Sequence, residues 1–147
     1  METKTTNNKL LFLIAALLLF GSCRTNNENR LFRFEYEVAD TTTQKEILLV
    51  LRMPERCSGE SNKMKINIIS PSGERYTDAF LFPSPGKNSS PPIPKDRFKV
   101  VKSGIWRDAG WVYKRGIRFP VPGKWYFNVY TENDDPRCVR ELFLTVR

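Results

Sequence analysis

Short runs in which apolar and polar residues alternate occupy much of the chain after residue 30. In residues 31–38, LFRFEYEV, the large apolar side chains fall on one side and the charged ones on the other. This two-residue period is typical of a half-buried β-strand. Residues 46–53, EILLVLRM, form instead a continuous apolar run of strand length. Such a run predicts a central strand that is buried on both faces.

Five further segments have the composition of strands, and Pro- and Gly-containing turns such as PSG and PVPG separate several of them. These segments are residues 63–70, 76–82, 112–119, 124–130 and 139–146. No helical pattern is present between residues 31 and 147. Short strands joined by turns predict an all-β fold, an antiparallel immunoglobulin-like sandwich of about seven strands.

Residues 83–102 leave the strand count open. Residues 83–94 contain five of the ten prolines, which cannot donate a hydrogen bond to a β-ladder, so we expect a long surface connection. The basic stretch 95–102 is compatible with either an edge strand or irregular chain. With seven strands, the connections that contain Cys57 and Cys138 lie at one end of the sandwich. If residues 95–102 formed an additional through-going strand, we would expect the two thiols to lie at opposite ends, too far apart to bond.

The first 23 residues have the order of an export signal. Residues 1–9 are polar and basic, residues 10–20 are uniformly apolar, and Gly21-Ser22-Cys23 follows. Eleven helical residues reach about 16 Å, well short of a bilayer core. The segment resembles a bacterial lipobox, which predicts a signal peptide over residues 1–22 and a lipidated Cys23. The alternative is an ordinary secretory signal with a cysteine nearby.

The predicted cleavage leaves a short polar tether, residues 23–30, and a single β-sandwich domain, residues 31–147. Lipidation uses Cys23, so Cys57 and Cys138 remain as a pair in an oxidising compartment. A disulfide between them is the simplest interpretation, and two buried free thiols are the alternative.

The chain contains no histidine, which removes the central group of Ser-His-Asp and Cys-His catalysis and of most zinc sites. No carboxylate pair or lysine is singled out as a catalytic group, so we predict a non-enzyme without a cofactor or metal. The net charge of +8 favours anionic neighbours, such as an anionic glycan or lipid headgroups. Nucleic acid is not expected outside the cytoplasm. Glu132, Asp134 and Asp135 are a candidate for calcium, although their spacing is that of a plain turn.

Trp106, Arg107 and Trp111 are the candidate ligand or partner contacts. The two tryptophans flank Arg107 and Asp108 in a predicted loop, a combination that can stack on a sugar or anchor a protein partner. Alternatively, both indoles cover the edge of the sandwich. Basic residues around this loop form a candidate patch for an anionic partner, with an ordinary solvated face as the alternative: Arg97, Lys99, Lys102, Arg107, Lys114 and Arg115.

Two segments carry a family resemblance: ISPSGERYTDAFLF, and GIWRDAGWVYKRGIRFPVPGKWYFNVY, which includes the run from Arg118 to Phe127. In this order, behind a lipoprotein signal, they resemble the gliding-motility lipoprotein GldH family. The resemblance implies an envelope lipoprotein that contacts other proteins of a gliding-motility or secretion-associated assembly, and it brings no catalytic residues. The residue after Cys23 is Arg24, not aspartate, which favours the outer membrane. The alternative function is a glycan-binding module that uses Trp106 and Trp111.

Overall fold

The computed structural model describes residues 30–57, 62–83, 94, 96–132 and 135–147, and these form eight β-strands. The strands are β1 (Arg30–Val38), β2 (Lys45–Pro54), β3 (Asn62–Ile69), β4 (Arg75–Phe82), β5 (Phe98–Ser103), β6 (Trp106–Ile117), β7 (Gly123–Glu132) and β8 (Glu141–Val146). Two single-turn 3₁₀ helices, Glu55–Cys57 and Pro136–Cys138, follow β2 and β7. Within these ranges there is no helix long and apolar enough to cross a bilayer.

The strands form two four-stranded antiparallel sheets, so the predicted β-sandwich is confirmed. The first sheet has the order β1-β7-β3-β4 and the second β5-β6-β2-β8. The inner pairs β7–β3 and β6–β2 are those of an immunoglobulin-like arrangement of the seven predicted strands. The terminal strands differ from that arrangement, since β1 pairs with β7 and β8 pairs with β2.

Alternate residues of both sheets fill the space between them. The fully buried side chains include Leu49 and Leu51 from β2, Ile66 from β3 and Phe127 and Val129 from β7. Those of β3 and β7 come from the positions that the alternating pattern assigns to the core side, whereas the continuous apolar run of β2 did not distinguish its two faces. The inward side chains of the two sheets therefore form one continuous apolar core.

The eighth strand coexists with a disulfide, so the expectation that it would separate the thiols was wrong. Cys57 and Cys138 are bonded, with their Cα atoms 5.4 Å apart. The last residue of β4 pairs with the first residue of β3, and the last residue of β5 lies beside the end of β2. β4 and β5 therefore both end at the disulfide end and run in the same direction along the sandwich. For this reason the additional strand does not reverse the direction of the strands that follow it.

β6 contains a β-bulge at a buried tyrosine. Ile47 pairs with Lys114 and the next residue, Leu48, pairs with Val112, so Tyr113 is the extra residue. Its buried ring packs among core aromatics, and its hydroxyl donates to Asp78 Oδ2 at 2.6 Å. Asp78 lies in the middle of β4. Tyr113 satisfies this carboxylate and links the two sheets.

Candidate functional site

The outer face of the second sheet carries an apolar groove of about 350 Å³. Its floor is formed by β2 and β6, and β5 provides one side. The apolar residues that line it are Leu48, Val50, Phe98, Val101 and Val112, together with the glycine at position 110. We call this surface the outer groove.

The apolar run of β2 is the reason that the groove is lipophilic. Ile47, Leu49 and Leu51 are buried between the sheets, while Leu48 and Val50 point to the opposite side and are only half-buried. The prediction that both faces of this strand are buried was therefore wrong, because no layer of described structure covers the second face. In a two-layer sandwich each strand presents one face to the outside.

Gly110 gives the groove its depth. It pairs with Val50 on one side and Lys99 on the other, and both partners have outward-facing side chains. A Cβ atom at this position would lie 3.8 Å from Val50 Cγ2 and 3.7 Å from the Lys99 carbonyl oxygen, which is ordinary contact. The backbone is thus compatible with a larger residue, and a side chain there would extend into the groove. Further out, Val101 is 48% exposed and Phe143 on β8 is 46% exposed.

A cluster of ion pairs closes the groove at its disulfide end. Arg52 donates from Nε to Asp108 Oδ1 at 2.7 Å and from Nη2 to Oδ2 at 2.9 Å, and from Nη1 to Glu141 Oε2 at 3.2 Å. This two-pronged contact holds the pKa of Asp108 below its ordinary value of 3.8. The cluster joins β6, β2 and β8 on the outside of the sheet.

A second ion-pair cluster closes the opposite end. Glu46 accepts from Arg115 Nε at 2.6 Å and from Arg147 Nη2 at 3.2 Å, and Arg115 also donates to Asp96 Oδ2 at 2.8 Å. The hydrogen bond from Arg115 is the main reason that the pKa of Glu46 is lowered from 4.5. The apolar floor is therefore bounded by charged, mutually satisfied side chains at both ends.

Most of the predicted basic patch is engaged in salt bridges. Lys102 and Arg107 both contact Glu55 Oε1, at 3.0 and 2.9 Å. Lys114 lies 3.6 Å from Asp78, and Arg115 belongs to the cluster at the groove's end. The two remaining cations, Arg97 and Lys99, line the groove and have no salt bridge to a described residue. They give one wall of the groove a positive charge.

The structure does not bring the two candidate tryptophans together. Residues 106–111 are part of β6, so the prediction of a loop was wrong. Trp106 and Trp111 are five residues apart, with regular pairing between them, and therefore lie on opposite faces of the sheet. Trp111 packs inside against Phe80 and Phe82, with ring centroids 5.3 and 5.8 Å away. A single platform made of both indoles is not formed.

Arg107 shares the core-facing side of β6 with Trp111, while Trp106 is half-buried on the outside. The Arg107 guanidinium contacts Glu55, and its Nε is a buried atom without a hydrogen-bond acceptor among the described residues. This side chain closes the end of the sandwich.

The other candidate positions divide between described and undescribed parts of the chain. The Cys57–Cys138 disulfide is present, whereas Cys23 and Asp134 lie outside the described residues. Asp135 accepts from the backbone nitrogen and the guanidinium of Arg137, at 2.9–3.0 Å. Among the residues that the structure describes, no three acidic or cysteine side chains are grouped as metal ligands.

Sequence reasoning did not identify the groove, although its signal is present in the chain. Leu48 and Val50 occupy the outward positions of a strand whose inward positions are also apolar. In a two-layer fold that pattern predicts an uncovered apolar surface. The contribution of Gly110 was missed because the charged pair Arg107-Asp108 and the glycine itself favoured a loop over a strand at this point.

Comparison of the chain with protein-family models, curated proteins and solved structures found no significant match. The outer groove and its charged ends are therefore the observations from which a function is inferred.

Proposed function

We propose that this protein is a non-catalytic envelope lipoprotein that docks, through the outer groove, on another protein of a gliding-motility or secretion-associated assembly. The groove carries the proposal. A contiguous apolar surface with a charged border on the outside of a sandwich is typical of protein–protein contact. The lipobox-like sequence that ends at Cys23 supports a membrane anchor, and the segment from Arg118 to Phe127 supports the class of assembly.

The chemistry of the groove favours an extended apolar segment that carries a carboxylate. The floor of Leu48, Val50 and Val112 would bury the apolar side chains of such a segment. Arg97 and Lys99 on one wall would pair with the carboxylate, while the carboxylates at both ends already have cationic partners. The positive charge of the whole chain favours the same kind of partner.

The proposed location is the cell envelope, with the acyl chains of Cys23 in the outer membrane and the domain on its periplasmic or surface face. A triacylated cysteine would hold the protein firmly, since each buried methylene contributes about 0.8 kcal/mol.

The test fills the groove without disturbing the core. We expect Gly110→Phe to fold normally, because the position accepts a Cβ atom, and to abolish docking because the ring occupies the space over Val50. In a strain whose own copy is deleted, wild-type protein should restore colony spreading or secretion, and Gly110→Phe should not. Asn128→Phe, on the outer face of the first sheet, is the matched control and should restore function.

Crosslinking identifies the contact directly. A photo-reactive residue at Val101, 48% exposed beside the groove, should form an adduct with an envelope protein, and Gly110→Phe should remove that adduct. The same residue at Tyr126, 44% exposed on the other sheet, is the control. Equal adducts from both positions, or normal function of a folded and acylated Gly110→Phe protein, would contradict the proposal.

A further inference from the structure

The start of β1 defines one end of the sandwich, which we call the anchor end. Arg30, the first residue of β1, pairs with Thr131 near the end of β7. The disulfide and the hairpin that joins β5 to β6 lie at the same end, because Ser103 and Trp106 pair beside Pro54 at the end of β2. Any membrane anchor upstream of Arg30 therefore connects to this end of the domain.

The chain between Cys23 and Arg30 is short. Seven Cα-to-Cα steps reach at most about 25 Å, even when fully extended. Provided that Cys23 is the lipid anchor, as proposed above, the anchor end stays within this distance of the bilayer. The opposite end of the domain is separated from it by the full length of the strands.

The hairpin between β5 and β6 places an exposed apolar residue at its tip. Gly104 has a φ of +60°, and Ile105 follows with a negative φ, the pattern of a type II′ turn with glycine in its first central position. Ile105 is 70% exposed, the largest exposed fraction among the described large apolar residues. Trp106 follows directly and is half-buried. An aliphatic tip with an adjacent indole is suited to a membrane–water interface.

The hairpin tip is held in place and carries excess positive charge. The backbone nitrogen of Glu55 donates to the carbonyl oxygen of Ile105 at 3.1 Å. Lys102 and Arg107 both contact the Glu55 carboxylate, so two cations share one anion. The tip therefore presents an apolar residue between positively charged neighbours in a fixed geometry.

Two further arginines add positive charge near the start of β1, while the cluster of Arg52 with two carboxylates lies on the outer face of the second sheet at the same end. The guanidinium of Arg30 donates to the backbone carbonyl oxygens of Val139 and Arg140, which do not cancel its charge. Arg140 is itself exposed. Both arginines lie beside the point at which the chain leaves toward Cys23.

We infer that the anchor end lies against a lipid surface, with Ile105 inserted among anionic phospholipid headgroups and Trp106 at the interface. Exposed cations near such a surface are attracted to anionic lipids, and the apolar tip adds burial. This inference rests on the proposed anchor but not on the docking partner. In this orientation the outer groove lies on the side of the domain, along the strands, and does not face the headgroups.

The test uses the acylated full-length protein, with acylation verified by mass spectrometry, in phosphatidylcholine vesicles that contain phosphatidylglycerol and brominated lipids. Bromine atoms quench tryptophan fluorescence only on contact. We expect quenching that a Trp106→Phe variant loses, because Trp111 and Trp125 are directed into the domain. Ile105→Asp should at least halve the quenching, and omission of phosphatidylglycerol should weaken it. Val121→Asp, in a turn at the opposite end where Val121 is 36% exposed, should leave it unchanged.

The outcomes separate the inference from the proposed function. Protein that floats with the vesicles but shows no quenching, or equal quenching in the Ile105→Asp and wild-type proteins, overturns the membrane contact and leaves the anchor intact. Protein that is not acylated and does not float overturns the anchor, and with it this inference.

Discussion

Replacing Cys57 with serine removes the covalent link between the end of β2 and the start of β8. The two cysteines are 81 positions apart, so the bond closes a loop of 82 residues, counting both ends. The chain-entropy relation gives at most about 4.5 kcal/mol of stabilisation for a loop of this length. For a domain of this size about 4 °C of melting temperature corresponds to each kcal/mol, so the expected decrease is up to about 18 °C.

The assay is thermal unfolding by circular dichroism of four proteins: wild type, Cys57→Ser, Cys138→Ser and the double variant. Each single change breaks the same bond, so the double variant should melt close to either single variant. Reduction of the wild type should lower its melting temperature into the same range. Cys23→Ser is the control and should melt like the wild type. Summation of the two single effects in the double variant would refute a shared bond.

Three further changes test the core, a turn and an ion-pair cluster. Trp111→Ala should destabilise the domain by about 3 kcal/mol because it leaves a cavity among core aromatics, as measured by chemical denaturation. Gly123→Ala should cost about 1–3 kcal/mol, since φ is +114° there and a Cβ atom would lie 3.1 Å from Pro71 Cγ; an unchanged denaturation midpoint would contradict this geometry. Arg52→Met should lower the free energy of unfolding only modestly at pH 7, because solvent screens this partly exposed pair. The pKa of Asp108 is lowered in the folded state, so its contribution is present at neutral pH and is lost as the pH falls below about 4. The difference between wild type and Arg52→Met should therefore shrink in acid, and a constant difference would count against the pair.

Seven of the eight strands were predictable because their signal is local. The alternation in residues 31–38 and 124–130 reports which side chains face the core, whichever strand lies beside them. Pro and Gly residues mark several of the turns for an equally local reason, namely their restricted or extended range of φ. β5 lacked such a signal, since its basic residues suit an edge strand and irregular chain equally well.

The candidate site depended on information that no single segment carries. Trp106 and Trp111 were grouped as neighbours along the chain, and only their inclusion in one strand places them on opposite faces. The groove is a property of three adjacent strands: Gly110 creates depth only beside Val50 and Lys99.

The chain taken alone thus predicted an all-β domain, a bond between Cys57 and Cys138 and the core-facing side of most strands, because each follows from short-range periodicity or composition. Only the tertiary structure decided which strands pair, because the hydrogen bonds between β1 and β7 and between β2 and β8 join residues that are far apart in the chain. Those pairings decided which apolar face remains uncovered. They also brought Cys57 to Cys138 despite the additional strand, because β4 and β5 run in the same direction and both end near the disulfide.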